Sequence, residues 1–455
     1  MPVGGAAESH EIFEAGGLSG HGIDCAANPI VESSRRQICW VKTLETVPRD
    51  PDVTAGRFAP HPSRGHLRND GGGPGQACLE AIITPEIRAR LALPTGEGGT
   101  CLPNACYTSP EWLKLENERL FARTWMYAAC LDQLARPGDA FPTSIGDKPV
   151  LLVHGRDGVV RAFHNVCRHR GAVLVDEPCS GLAALRCPYH AWTYGLDGSP
   201  RTRPHFHGGE RHDVSGAWPG LVPIRLGMFH RAIFLNLDGM AAPFEEFIAP
   251  LAARLAGHDL GALRLARTLV WEFQANWKLV FENYFDNYHV AAVHPRLNAF
   301  FPMRKRSGFI PDGQLMRTEY TFGEPEEGRG KGLPYYPGLK PELTRFGAGY
   351  HLFPSCCYQV WPDQLTIFQV FPVAPDHTIE HLHIFMVGDA ATDEAHREAR
   401  QGVFDMWDEL NREDIDAIHW MQAGRRSPAF DGGVLSGFWD PSHQHFARLT
   451  VDAMS

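Results

Sequence analysis

The sequence predicts an α+β chain, with a β-rich part over roughly 101–240 and a longer part over 241–455 in which helices mix with strands. Three observations predict it. Short apolar runs such as Pro149-Val-Leu-Leu-Val-His154 and Val159-Val-Arg-Ala-Phe-His164 are separated by Arg156-Asp157-Gly158, a hairpin signal. Further on, apolar residues recur at helical spacing in Pro243–Leu255, Trp277–Tyr288 and Glu394–Gln422, while Gln364–Phe371 and His381–Val387 alternate as strands do. The first hundred residues show neither period.

That opening stretch is punctuated by Gly4-Gly5, Gly16-Gly17 and Asn69-Asp-Gly-Gly-Gly-Pro-Gly75, with few aromatic residues. It can bury little apolar surface, so residues 1–100 are expected to be a low-complexity, disordered extension, with ordered chain starting near Leu102-Pro103. Ser109 and Pro110 then open a helix by capping chemistry, and Leu113, Leu115, Leu120, Phe121 and Trp125 give it an apolar face. Small strands follow as far as Ala232–Leu237, where the turn Asp238-Gly239 closes the first part.

Composition narrows the function. The chain has 455 residues, room for two or three domains, and its formal charge of −10 with a pI near 6.1 offers no basic footprint for nucleic acid. No run of about 18 apolar residues would cross a membrane, and the start lacks a basic and then apolar leader. Eleven cysteines are an odd number, and scattered thiols beside a metal motif fit a reducing cytoplasm.

The metal motif is Cys167-Arg-His169 followed by Cys187-Pro-Tyr-His190. Each half supplies a thiolate and an imidazole, and Arg170 to Arg186 is long enough to bring one half beside the other. Two sulfurs and two ring nitrogens suit a structural Zn²⁺, or a [2Fe–2S] centre with both cysteines on one iron and both histidines on the other. The second half runs on as Ala191-Trp-Thr-Tyr-Gly-Leu-Asp-Gly198, a short strand ending in a turn. Cys179 has no ligand spacing and reads as structural, Cys356-Cys357 as packed in a strand or lining a pocket, and His351, His381 and His383, which have no ligand-like companions, as solvated or core.

A second constellation lies in Glu282-Asn-Tyr-Phe-Asp286-Asn-Tyr-His289-Val-Ala-Ala-Val-His294-Pro295. On a helix Asp286 and His289 share a face, whereas His294 is rotated about 140° from His289. Both imidazoles reach one metal only if the helix bends or ends between them, and Pro295 favours that break. Two histidines and a carboxylate describe the facial triad of non-haem iron oxygenases. Asp286 is the local candidate for the carboxylate. Far along the chain, Val403, Trp407, Leu410, Asp414, Ala417 and Met421 form one helical stripe whose only charge is Asp414. A lone inward carboxylate needs a partner, an arginine or a metal. Glu413 flanks that stripe and is the alternative carboxylate, and Asp416 falls on the polar face. The glycine-rich Gly328-Arg-Gly-Lys-Gly332 lacks the strand-to-helix setting of a phosphate loop and reads as a surface loop.

Both motifs resemble those of Rieske non-haem iron oxygenase α subunits: C-x-H, about seventeen residues, C-x₂-H, and later E-N-x-x-D/E-x-Y-H-x₄-H-P. The resemblance spans Leu102 to the C-terminus and implies a Rieske [2Fe–2S] domain followed by a helix-grip catalytic domain. It assigns Cys167, His169, Cys187 and His190 to the cluster, and His289, His294 and Asp414 to a mononuclear Fe(II). Asp286 becomes a bridge from His289 to His190 of a neighbouring chain in a head-to-tail homotrimer, with a β subunit an open option. A separate reductase or ferredoxin would bring electrons from NAD(P)H, and O₂ would hydroxylate, dihydroxylate or demethylate a small substrate. Leu102-Pro103, Tyr107–Trp112, Asn276-Trp-Lys and Phe353-Pro354 look like the choline and betaine monooxygenase branch, so a quaternary ammonium compound or an aromatic acid is expected. Tyr350, Phe353, Tyr358, Trp361 and Phe368 are candidates for a cation-binding cage. The rival readings are a Rieske-type electron carrier and a zinc-stapled binding protein.

Overall fold

Alternation along the strands sorts side chains into separate cores, and this decides the architecture of the computed structural model. It describes residues 74–209 and 218–455, and the backbone alone over 212–214. Most of the glycine-rich opening therefore lies outside the described residues. Its last part is ordered, contrary to expectation. Helices α1 (Pro74–Ile82) and α2 (Pro85–Ala92), with the link between them, bury Leu79, Ile83 and Leu91 in the main core. Three well-spaced apolar side chains suffice for two short helices that pack on a larger body, which composition alone does not reveal. Thr84 caps α2, accepting a hydrogen bond from the Ile87 amide.

Helix α3 (Pro110–Leu115) starts at Ser109, whose hydroxyl accepts from the Trp112 amide, and widens into a π-turn over Glu116–Phe121. Six antiparallel strands follow, ordered β1-β10-β9-β4-β3-β2: β1 (Met126–Cys130), β2 (Ala140–Ile145), β3 (Lys148–His154), β4 (Val160–His164), β9 (Pro223–Phe229) and β10 (Ala232–Asn236). On β3, Val150 and Leu152 face the main core while Leu151 and Val153 face a second one. Burial on both faces is why this strand reads as an unbroken apolar run. The second core belongs to a small sheet of β5 (Leu185–Arg186), β6 (Thr193–Tyr194), β7 (Pro200–Pro204) and β8 (His212–Val214).

The larger part is a seven-stranded antiparallel sheet ordered β11-β17-β16-β15-β14-β13-β12. Its strands are β11 (Leu263–Phe273), β12 (Ile310–Asp312), β13 (Leu315–Thr321), β14 (Phe346–Leu352), β15 (Cys356–Val360), β16 (Gln364–Ala374) and β17 (His377–Val387). One face sends Met316, Cys357, Phe368, Val370, Leu382 and Ile384 into the main core. The other sends Leu315, Ile367 and Phe385 against helix α4 (Phe244–Leu255). The first face holds α5 (Trp277–Tyr284) and the long α8 (Arg397–Gly424), with α6 (Val290–Val293) and α7 (Pro295–Phe300) between them in sequence; α9 (Pro441–Met454) ends the chain. No helix among the described residues is long and apolar enough to cross a membrane.

Two expectations need correction here. The buried stripe of α8 is Val403, Trp407, Asn411, Asp414, Ile418 and Gln422, so Leu410 and Ala417 are only partly covered and Met421 is exposed. Two amides occupy inward positions because each has partners: Asn411 donates to Glu380, and Gln422 both accepts from the Asn276 amide and donates to the Tyr107 carbonyl. A count of apolar residues cannot see that. Likewise the 328–332 segment is no surface loop, since Arg329 is buried and paired with Glu326, and Gly328 lies against Gly402 and Met406 of α8.

An ion pair with no solvent exposure ties the N-terminal π-turn to α5. Lys278 Nζ donates to Glu116 Oε1 at 2.6 Å, Trp112 Nε1 to the same oxygen at 2.9 Å, and Trp277 Nε1 to Oε2 at 2.8 Å. Lys278→Met strands the carboxylate, which should cost about 3–5 kcal/mol. A lowered denaturant midpoint would report it, with partial recovery in Glu116→Gln/Lys278→Met. A midpoint unmoved by the single change would show the pair to be solvated.

Candidate metal centres

The two Cys-His loops are built alike. The Cys167 amide donates to the Ala172 carbonyl and its carbonyl accepts from the Gly171 amide; Cys187 does the same with Trp192 and Ala191. The fifth residue of each loop is left-handed, Gly171 at φ 74° and Ala191 at φ 57°. Glycine takes that conformation freely, whereas alanine there is uncommon and strained. Both thiols are buried, the Cys167 sulfur lies 3.4 Å from the Tyr194 hydroxyl, and that hydroxyl accepts from the Arg168 amide. The imidazoles of His169 and His190 sit with centroids 4.7 Å apart at the exposed tip, and His169 stacks on Trp192.

This donor set fits a two-iron cluster better than zinc. A tetrahedral zinc would gather all four ligand atoms around one point. Among the described residues only His289, His294 and Asp414 bring three such atoms within 4.8 Å of one another. The cysteines and histidines instead form a buried sulfur end and an exposed imidazole end. His169 Nδ1 is buried without a hydrogen-bond partner, a lone pair free for a metal. Burial, reinforced by the neighbouring Cys187, holds the Cys167 thiol above its ordinary pKa, although Tyr194 pulls it down. Cationic iron would supply the missing counter-charge.

The second centre forms where helix gives way to loop. Helix α5 stops at Tyr284, earlier than the sequence pattern suggests, and His289 follows on a non-helical turn. His294, at φ −116° and ψ 75° before Pro295, breaks the chain again between α6 and α7. These two breaks cancel the 140° rotation that a continuous helix would impose. His289 Nε2 and His294 Nε2 lie 3.1 Å apart, and Asp414 Oδ1 stands 3.5 Å and 3.1 Å from them. That oxygen is buried and makes no aligned hydrogen bond. Ligands about 2.1 Å from one ion and at right angles would be about 3 Å apart, so the triangle fits one facially bound metal.

Behind each imidazole stands a carboxylate. His294 Nδ1 is 2.7 Å from Glu413 Oε2, and His289 Nδ1 is 3.2 Å from Asp286 Oδ2. Such outer carboxylates fix the tautomer and direct the Nε2 lone pairs inward. Burial alone would lower the His294 pKa, but Asp414 and Glu413 outweigh it and raise it; a cation at the centre would reverse that preference. Asp286 is likewise affected first by burial, which raises its pKa, yet His289 and the Tyr288 amide hold it low on balance. Sequence reasoning left Glu413 as an alternative ligand and missed its place behind His294. Its position beside Asp414 on α8 gave no separate signal.

Residues 124–213 match the Rieske [2Fe-2S] domain, and residues 260–455 match the ring hydroxylating alpha subunit (catalytic domain). The chain belongs to the Rieske oxygenases. This Rieske oxygenase is 28% identical over 339 residues to the carnitine monooxygenase oxygenase subunit of Acinetobacter pittii (strain PHEA-2), covering 72% of this chain and 86% of that one. It is 35% identical over 204 residues to the glycine betaine monooxygenase oxygenase subunit of Chromohalobacter salexigens, covering 44% of each. A quaternary ammonium Rieske monooxygenase of known structure superposes with a TM-score of 0.67 at 24% identity, over 78% of this chain and 96% of that one, a likeness of fold. The Rieske oxygenase therefore uses a [2Fe–2S] cluster and a mononuclear iron, with electrons from a separate donor, O₂ and a small-molecule substrate.

The expected aromatic cage is divided by the sheet. Tyr350 and Tyr358 point to the α4 side, away from the metal triad's core. Phe353 and Phe368 face that core, and Trp361 packs with Phe300, Tyr320 and Phe322. Period-2 alternation puts Tyr358 and Phe368 on opposite faces, which aromatic composition alone does not show.

Proposed function

We propose that this Rieske oxygenase hydroxylates or demethylates a small quaternary ammonium compound, using Cys167, His169, Cys187 and His190 for the cluster and His289, His294 and Asp414 for the iron. The observation that carries the site assignment is the triangle of two Nε2 atoms and one orphaned carboxylate oxygen, each imidazole backed by its own acid. The substrate class is carried over from the carnitine and glycine betaine enzymes that the chain resembles.

The iron, when bound, supplies O₂ activation, and the cluster supplies electrons one at a time. The residues around them hold and orient. Glu413 and Asp286 fix the tautomer of the imidazoles they back and keep both turned inward, and Asp414 balances the charge of the metal. In the proposed head-to-tail trimer, Asp286 stands 3.2 Å from His289 Nδ1 and reaches a cluster histidine of the next chain, His190. In support, the cluster tip exposes Tyr189 and Phe206, and the iron-bearing loop exposes Tyr288, stacked on Trp439 beside Phe438. Such patches on an isolated chain fit surfaces that another chain covers. We place the cluster domain within 101–240 and the catalytic domain within 241–455, in a cytoplasmic protein served by a reductase or ferredoxin.

Metal and acid-labile sulfide analysis of anaerobically purified protein tests the assignment. About three irons and two sulfides per chain are expected, with a low-average-g EPR signal after dithionite. Zinc without sulfide would overturn it. Glycine betaine and L-carnitine should then be turned over with a reductase; turnover of aromatic acids alone would move the substrate reading to that class.

A further inference from the structure

Deep in the catalytic core, one step from the metal triad, lies a carboxylate that nothing in the site assignment uses. Glu380 sits on β17 with no solvent exposure. Its Oε1 accepts from Asn411 Nδ2 at 3.1 Å and lies 2.6 Å from the Tyr284 hydroxyl, whose single proton it shares with Asn411 Oδ1 at 2.5 Å, while Oε2 is buried with no partner at all. No lysine, arginine or histidine pairs with it among the described residues.

The side chains around it close into a ring. Tyr284 packs on Phe368 with centroids 4.2 Å apart, and Phe368 meets Trp407 edge-on at 5.3 Å. Trp407 and Asn411 are neighbours one turn apart on α8, and Asn411 returns the ring to Glu380. Across the sheet Phe368 pairs with Leu382, so Phe368 and Glu380 are diagonal neighbours on one face, about 7–8 Å apart. The triad is close by. Asp414 follows Asn411 by one turn of α8, Tyr284 lies two residues before Asp286, and Asp414 acts electrostatically on both Glu380 and Tyr284.

We infer that Glu380, with the faces of Tyr284, Phe368 and Trp407, is the receptor for the cationic group of the substrate and sets its selectivity for quaternary ammonium compounds. The inference rests on the substrate class proposed above. A trimethylammonium group donates no hydrogen bond; it is recognised by ring faces and by a desolvated negative charge. A polar staple between α5, α8 and the sheet would need only one acceptor oxygen, which a neutral glutamine supplies. Glu380 adds a second, unpartnered oxygen in an apolar setting, where an unpaired charge is costly. Burial, with Asp414 adding to it against the hydrogen bonds from Tyr284 and Asn411, raises its pKa to about 8. With no cation beside it Glu380 thus favours the protonated acid, and an arriving cation, for which the packed rings would have to part, stabilises the carboxylate.

The test compares glycine betaine with 3,3-dimethylbutanoate, its uncharged carbon isostere at the quaternary centre, on iron-loaded wild-type and Glu380→Gln enzyme. Wild type should bind glycine betaine about 100-fold more tightly than the isostere. Glu380→Gln, which keeps the Tyr284 and Asn411 hydrogen bonds, should raise KM for glycine betaine about thirtyfold or more, with isostere binding within about threefold. Equal binding of the two ligands by wild type overturns the inference even if the variant does not fold. So does a variant that loses both ligands equally, or neither. If wild type turns glycine betaine over but fails these comparisons, only the role of Glu380 falls. If loaded wild type oxidises neither glycine betaine nor L-carnitine, the substrate reading falls with it.

Discussion

Asp414→Ala is expected to remove the catalytic iron and leave the cluster. Asp414 supplies the only carboxylate oxygen in the triangle, and that oxygen has no protein partner to compensate its burial. Without it two imidazoles remain, too few to hold Fe(II) against water and chelators. Iron should fall from about three to about two per chain, and turnover by about three orders of magnitude or more. The EPR signal of the reduced cluster should be unchanged, because Cys167 and Cys187 pack in the core of the small sheet while Asp414 lies on α8, which packs in the main core. A variant that keeps three irons would exclude Asp414 as a ligand and turn attention to Glu413. Glu413→Gln separates the two roles further. An amide can still accept from His294 Nδ1, so iron should stay bound with a loss of about 10–100-fold in affinity or activity.

Much of this candidate site was legible in the sequence, for physical reasons. Metal ligands come in short motifs with few spacings, so Cys167, His169, Cys187 and His190 stand out without any knowledge of the fold. Asp414 was legible for a different reason: a charge on an apolar helical stripe must answer to something inside. The same periodicity went astray lower on α8, where Asn411 and Gln422 are buried through hydrogen bonds to distant segments that no local pattern displays. The break before His289 was also invisible. Phe285 to Tyr288 continue a helical apolar pattern, yet the chain leaves the helix at Tyr284 so that His289 can meet His294. Glu380 gave no sign either, since Glu380 lies on β17 just before the His381–Val387 run read as a strand, and its meaning depends on Tyr284, 96 residues before it, and Asn411, 31 residues after it. Strand order, face and long-range partners are set by packing, and one sequence carries them only in part.

Asp286→Asn tests the path of the electron. The amide keeps an oxygen to accept the Tyr288 amide, but the group it can turn toward His289 Nδ1 no longer carries charge, and its NH₂ cannot accept. Both metal centres should load normally and dithionite should still reduce the cluster, while turnover falls by about two orders of magnitude or more. A wild-type rate would remove the bridge. Loss of turnover alone does not say which chain supplies the electron, so the decisive version uses two defects. Chains carrying Asp286→Asn keep a cluster and lose the bridge; chains carrying Cys167→Ser lose the cluster and keep the bridge. Each alone should be inactive. Coexpressed, they should regain part of the activity, because in a head-to-tail ring the intact iron site of a Cys167→Ser chain can draw on the cluster of an Asp286→Asn neighbour. If electrons pass within one chain, every chain in the mixture carries one broken link, and no activity returns.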